Sequence, residues 1–167
     1  IDRVSLASRE EITDALSLLP DRPRTLLADE VLQFLDRLKE QLRMQKDLFY
    51  EKTCLETGFI ARDSIEIVDS AIEFLNDFDI YVHDKSFRGY TVRHSYSSSS
   101  DREIRITDRP YRYIAAVVPQ NASLTLGITI IASALYSGAG VILRPSLQCG
   151  STGACLAELI MKSQPPE

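Results

Sequence analysis

Hydrophobic positions in the first half of the chain recur at helical spacing. Leu27, Val31, Phe34, Leu35, Leu38 and Leu42 share one face, with Asp29, Asp36, Arg37, Lys39 and Glu40 off it, which predicts a helix from Thr25 to about Glu51. Gly58 follows Glu56 and Thr57 and supplies a stop, because glycine takes the left-handed conformation that ends helices. A shorter helix is predicted before it, from Ser8 to Leu19. It opens on the capping-box pattern Ser8-x-x-Glu11 and is broken by Pro20 and Pro23. A third stripe, Ile65, Val68, Ala71, Ile72, Leu75 and Phe78, predicts another helix, entered through Asp63 or Ser64 as cap.

From Tyr90 the period changes from helical to alternating. Tyr90–Tyr96 and Glu103–Thr107 are rich in β-formers, and the polar run Ser97–Asp101 lies between them, so a β-hairpin with a mobile tip is expected. The apolar stretch Tyr113–Val118 then reads as a strand ending at Pro119. A helix over Ala122–Tyr136, the turn Ser137–Gly140, a strand Val141–Leu143 and a helix from Thr152 to about Ser163 follow. Strand, helix, glycine turn, strand is a βαβ unit, which requires a parallel strand pair and a right-handed crossover. Ligands of such units sit beyond the carboxyl ends of the strands. Here those ends carry Pro119-Gln120-Asn121 and Arg144-Pro145-Ser146.

Charge sharpens this division. After Arg112 the only charged residues are Arg144, Glu158, Lys162 and Glu167, so residues 113–167 read as structure covered on both faces, as parallel sheets are. The whole chain of 167 residues carries a net charge of -5, and without a Lys/Arg stripe it is a poor candidate for binding nucleic acid or an anionic membrane. The longest apolar stretch, Leu124 to Tyr136, is shorter than the roughly 20 residues that span a bilayer. Three cysteines, none in a C-x-x-C pair, give neither a disulfide framework nor a zinc site, and no metal site is expected. A reducing compartment, the cytoplasm, is therefore the expected setting. The chain starts with Ile1 rather than Met, and we expect it to be a segment of something longer.

Three segments carry a family resemblance. Pro119-Gln-Asn-Ala-Ser-Leu124, Ala134-Leu-Tyr-Ser-Gly138 and Val141-Ile-Leu-Arg-Pro-Ser146 resemble the aldehyde dehydrogenase patterns P-W-N-F-P-L, A-L-A-A-G-N and V-V-L-K-P-S-E, at the family spacing and without a gap. Upstream, Glu56-Thr57-Gly58 resembles the family's E-T-G-K. Downstream, Leu156–Leu159 and Pro165 resemble the helix that precedes its glycine-rich cofactor loop. The resemblance implies an α/β protein: N-terminal helices over residues 1–88, a β-hairpin of the oligomerisation type over 89–110, and the first, incomplete βαβ unit of a Rossmann-like cofactor domain over 111–167. It implies further that the intact protein is an oxidoreductase oxidising an aldehyde with NAD or NADP through a cysteine thiohemiacetal, and that it forms a homo-oligomer. An acyl-CoA or acyl-phosphate reductase would share this half. A non-catalytic dehydrogenase-like assembly module is the alternative from another class.

Residue by residue, the resemblance makes Asn121 the catalytic oxyanion donor, since a neutral amide placed where charge develops stabilises the intermediate. Asparagine is also well suited to cap the helix that follows, and position alone favours the cap, while the resemblance favours the donor. Arg144 matches a lysine that contacts the adenosine ribose. Val117, Val118, Pro119, Gln120 and Ser146 match other parts of the cofactor cleft. The departures are specific. Gln120 stands for a tryptophan, Ser123 for a proline, and Leu147 for a glutamate that would accept bonds from the ribose hydroxyls. Without that carboxylate, Arg144 could pair with a 2′-phosphate, so NADP is admitted beside NAD. The family's nucleophilic cysteine and general-base glutamate have no match here, so the 167-residue segment alone is expected to be inactive. Of its own thiols, Cys149, in the loop after Pro145, is the best candidate for a reactive one, although a structural role is the stronger reading for it as well. His83 and His94 are solitary.

Overall fold

A computed structural model of the chain describes residues 7–18, 28–83, 90–97, 100–107 and 109–166. Its elements in order are α1 (Arg9–Leu18), α2 (Ala28–Met44), α3 (Lys46–Thr57), α4 (Ala61–His83), β1 (Tyr90–Ser97), β2 (Ser100–Ile106), β3 (Tyr113–Val117), α5 (Ser123–Ser137), β4 (Gly140–Arg144) and α6 (Gly150–Lys162). Single 3-10 turns, Gln120–Ala122 and Leu147–Cys149, precede α5 and α6. Among the described residues no helix is long and apolar enough to cross a membrane.

The apolar stripes read from the sequence become one core. Val31, Phe34, Leu35, Leu38 and Leu42 of α2 meet Phe49 of α3, Val68, Ala71, Leu75 and Phe78 of α4, Leu124, Ile128, Ile131 and Ala132 of α5, and Leu156 and Leu159 of α6. α5 is the centre of this packing, touching α2, α4, α6 and the strand pair. An edge-to-face contact between Phe78 and Tyr136, with centroids 5.7 Å apart, closes one end of the α4–α5 interface. The Thr125 hydroxyl on α5 donates to the Ile67 carbonyl of α4 at 2.9 Å, fixing the register of the two helices.

Strands β3 and β4 pair in parallel, Tyr113 opposite Gly140 through Val117 opposite Arg144, with α5 as the crossover. Gly138 ends α5 at φ 89° and its N–H bonds back to the last turn, so the left-handed conformation is required there and glycine supplies it. Gly58 does the same for α3 at φ 73°. β1 and β2 form a separate antiparallel hairpin, with a bulge between Ser95 and Ser97. The expected tip shrinks, because Ser97, Ser100 and Asp101 join the strands; Ser98 and Ser99, where mobility is expected, lie outside the described residues.

Four expectations are corrected. The long helix is two helices, broken at Gln45, whose N–H still bonds back to Gln41 and Leu42. Its predicted start, Thr25–Leu27, lies outside the described residues, as do Pro20 and Pro23. α4 begins at Ala61, so Asp63 and Ser64 sit inside its first turn instead of capping it, and both N–H groups bond to the Ile60 carbonyl. The expected stripe differs at its first position, where Ser64 is buried and Ile65 is 42% exposed, while Val68, Ala71, Leu75 and Phe78 are buried. Finally, α6 begins two residues earlier than Thr152, at Gly150. The Ser8–Glu11 capping box is present in both directions, and the Ser8 N–H and hydroxyl hold the Glu11 carboxyl below its ordinary range.

Candidate functional site

The site lies at the carboxyl ends of β3 and β4, where two turns face the start of α6. The β3–β4 ladder runs one bond past the strands, from the Val118 N–H to the Arg144 carbonyl at 3.1 Å. Pro119, extended at φ -75° and ψ 164° and lacking an N–H, then releases the chain into the Gln120–Ala122 turn. The N-cap of α5 is Ala122, with no side-chain cap, so Asn121 is not the helix cap. Its side chain is exposed at the turn, and among the described residues it has no hydrogen-bond partner.

The turn that carries Asn121 is tied to α3. The Gln120 amide donates to the Glu56 carbonyl at 2.6 Å, and the Gln120 carbonyl accepts from the Cys149 thiol at 3.3 Å. Glu56 is the hub. Its carboxylate accepts from the Ser151 N–H at 2.7 Å, the Thr152 N–H at 3.0 Å and the Thr152 hydroxyl at 2.5 Å, all in the first turn of α6. A carboxylate there satisfies N–H groups that have no partner within the helix, and it suits the positive end of the helix dipole. Lys52 Nζ reaches the Ser151 hydroxyl beside it. At the other end of α6, Arg37 donates to the Ser163 and Gln164 carbonyls, both at 2.9 Å. The sequence gives no sign of the Glu56 role beyond its place before Gly58.

Cys149, the best candidate for a reactive thiol, is 2% exposed, and burial, with the nearby Glu56 carboxylate, pushes its pKa up to about 11. That agrees with the structural reading of this cysteine: the group is a buried donor, and thiolates need the opposite surroundings. Cys54 likewise donates to a carbonyl, that of Phe59, at 3.1 Å.

Beside the strand pair is a cavity of about 960 Å³, lined by Ala115, Val141 and Leu143, by Ala157 and Ile160 of α6, and by Ile12 of α1. Val117, Arg144 and Ser146 border it together with Pro145 and Leu147. Val118 is buried beneath, and Pro119, Gln120 and Asn121 lie at the adjoining turn outside its walls. The Ser146 hydroxyl accepts from the Gln148 N–H at 3.3 Å and so shapes the second turn. Gly153 keeps α6 close, since a Cβ there would lie 2.5 Å from Pro145 Cγ. No carboxylate lines the cavity, and Arg144 is exposed with no ion pair among the described residues. An apolar hollow with a guanidinium at its rim could hold a planar apolar group with a phosphate beside it.

A parallel βαβ unit whose strands end in two adjoining turns makes the chain an α/β protein. The model of the aldehyde dehydrogenase family matches residues 3–167, and the chain belongs to that family. It is 26% identical over 164 residues to a lactaldehyde dehydrogenase of Methanococcus vannielii and 24% identical over 163 residues to that of Methanococcus maripaludis, covering 96% of this chain and 34% of each relative. The chain thus spans about a third of the length of the curated relatives it matches. Among solved structures it resembles an NADP-dependent glyceraldehyde-3-phosphate dehydrogenase from Bacillus halodurans complexed with NADP, with TM-score 0.83 and 21% identity, over 96% of this chain and 34% of that one. A betaine aldehyde dehydrogenase from Staphylococcus aureus in complex with NAD+ matches with TM-score 0.83 and 19% identity, over 100% of this chain and 34% of that one. These likenesses show the fold: helices and small sheets arranged as in the N-terminal third of an aldehyde dehydrogenase.

Proposed function

We propose that this chain is the N-terminal part of an NAD(P)-dependent oxidoreductase that oxidises an aldehyde, and that it supplies the oxyanion donor and one wall of the nucleotide site. The observation that carries the reading is the unengaged amide of Asn121, exposed at the strand-end turn and not used as a cap. When an aldehyde carbon is attacked by a nucleophile from the remainder of the parent, negative charge develops on the former carbonyl oxygen. A preorganised neutral donor stabilises that charge more than it stabilises the ground state. When bound, the nucleotide would supply an acceptor for the hydride that leaves the substrate carbon. Arg144 and Ser146 would hold its adenosine end against the apolar wall. With Leu147 where the family pattern has a carboxylate, both NAD and NADP are admitted. The parent assembles as a homo-oligomer through the β1–β2 hairpin, and its three free thiols suit a reducing, cytoplasmic setting.

The test is Asn121→Ala in the full-length parent. The expected result is a fall in kcat of roughly 10²–10³, with nucleotide affinity and melting temperature little changed, because the side chain caps nothing. An unchanged kcat would overturn the oxyanion role. Turnover of an acyl-CoA or acyl phosphate in preference to any aldehyde would move the parent to the reductase reading.

A further inference from the structure

We infer that Gln120 is a positioning residue for the Asn121 amide, an inference that rests on the reading of Asn121 just given. The chain between the last ladder bond at Val118 and the first residue of α5 at Ser123 has few anchors. Pro119 has no N–H to donate, Asn121 has no hydrogen-bond partner among the described residues, and Ala122 takes a non-helical φ of -144°. What fixes the turn from outside is Gln120, half-buried, with both ends engaged. Its amide nitrogen reaches the Glu56 carbonyl at 2.6 Å, and its backbone carbonyl receives the Cys149 thiol at 3.3 Å.

The anchor is itself rigid. Glu56 ends α3, and its carboxylate is locked onto three donors of α6 within 3.0 Å. The Gln120 side chain therefore refers the position of the next residue to a helix junction and not to solvent. An oxyanion donor works only when it is held in place before charge develops, and an error of about 1 Å can cost as much as 10²-fold in rate. A glutamine that tethers the turn lets Asn121 keep its amide free while its backbone stays fixed. A cap would have fixed the side chain at the expense of the donor.

The discriminating variant is Gln120→Met in the full-length parent, which keeps the length and volume of the side chain but cannot donate. It should lower kcat by roughly 10-fold, with nucleotide affinity unchanged. In the Asn121→Ala background it should have no further effect, because a donor that is gone cannot be misplaced. Hydrogen exchange should quicken in the peptide covering residues 118–124 and stay unchanged over residues 150–162. A kcat within about twofold of the unsubstituted enzyme, or a loss that multiplies with that of Asn121→Ala, overturns the positioning role. Unchanged exchange over 118–124 overturns the tether whatever the turnover. If Asn121→Ala alone leaves kcat untouched, the oxyanion reading fails instead, a result distinct from an effect of Asn121→Ala that Gln120→Met does not share.

Discussion

Cys149 is 2% exposed and its thiol donates to a backbone carbonyl, and both facts bear on its chemistry. Its pKa is raised from 9.0 to about 11, so near neutral pH the folded state holds about 100-fold less thiolate than the unfolded chain. Alkylation of Cys149 in the native protein should be slower than in the unfolded protein by at least that factor, measured by mass spectrometry of trapped peptides. Equal rates would mean the site opens freely. The raised value also sets a direction with pH: the thiol's contribution to stability is full below about pH 9 and is lost as pH climbs through 11. Tyr50, pushed up to about 12 by burial and its bond to Asp69, acts the same way slightly higher. A structural role for Cys149 was the stronger reading of the sequence, but its bond was not legible there, where it is a cysteine in the loop after Pro145. Burial comes from the 3-10 turn that folds it under the Gln120 carbonyl. Asn121 was legible in the opposite sense. Its residue type allowed cap or donor, and only the start of α5 two residues later separates them.

Among the elements, α6 depends most on distant residues. Its N-terminal amides are capped by Glu56, and the carbonyls just past its end, those of Ser163 and Gln164, are held by Arg37, partners more than ninety residues away in sequence. Glu56→Ala should cost about 2 kcal/mol, since bonds to a charged acceptor are lost and helix amides are left partly buried without one. Thermal or denaturant unfolding of the parent measures it, and a cost no larger than that of an ordinary surface substitution would show that water replaces the carboxylate. Helix existence and buried faces were legible from periodicity: every residue of the α2 stripe from Val31 to Leu42 is buried. The break at Gln45 was not, because no proline or glycine marks it and the apolar pattern continues into Phe49. The parallel pairing of β3 with β4 was legible, since right-handed crossover sterics leave one solution for a strand-helix-strand unit. A long-range cap such as Glu56 has no local pattern to announce it.

Across the whole molecule the hairpin stands apart, and its two faces differ. On one face Tyr90 pairs with Ile106 and Val92 with Ile104, all four exposed, between 38% and 62%. On the other, Arg93 and Arg105 flank Glu103 at 3.5 and 3.8 Å, ion pairs of little worth in solvent. A two-stranded hairpin is marginal in water by itself, and an apolar face of four large side chains raises the cost of leaving it uncovered. The amphipathic pattern therefore fits a ribbon whose apolar side is buried against a second copy of the parent, with the charged side left to solvent. Replacing the directly opposed pair by Val92→Lys with Ile104→Glu keeps a favourable cross-strand contact while making the apolar face charged. In the full-length parent this double variant should sediment as a smaller species than the unsubstituted protein at equal concentration, with the same far-ultraviolet circular dichroism. If both proteins sediment alike as oligomers, the assembly uses another surface. If both are monomers, the hairpin's apolar face is covered within one subunit, by parts of the parent beyond the described residues.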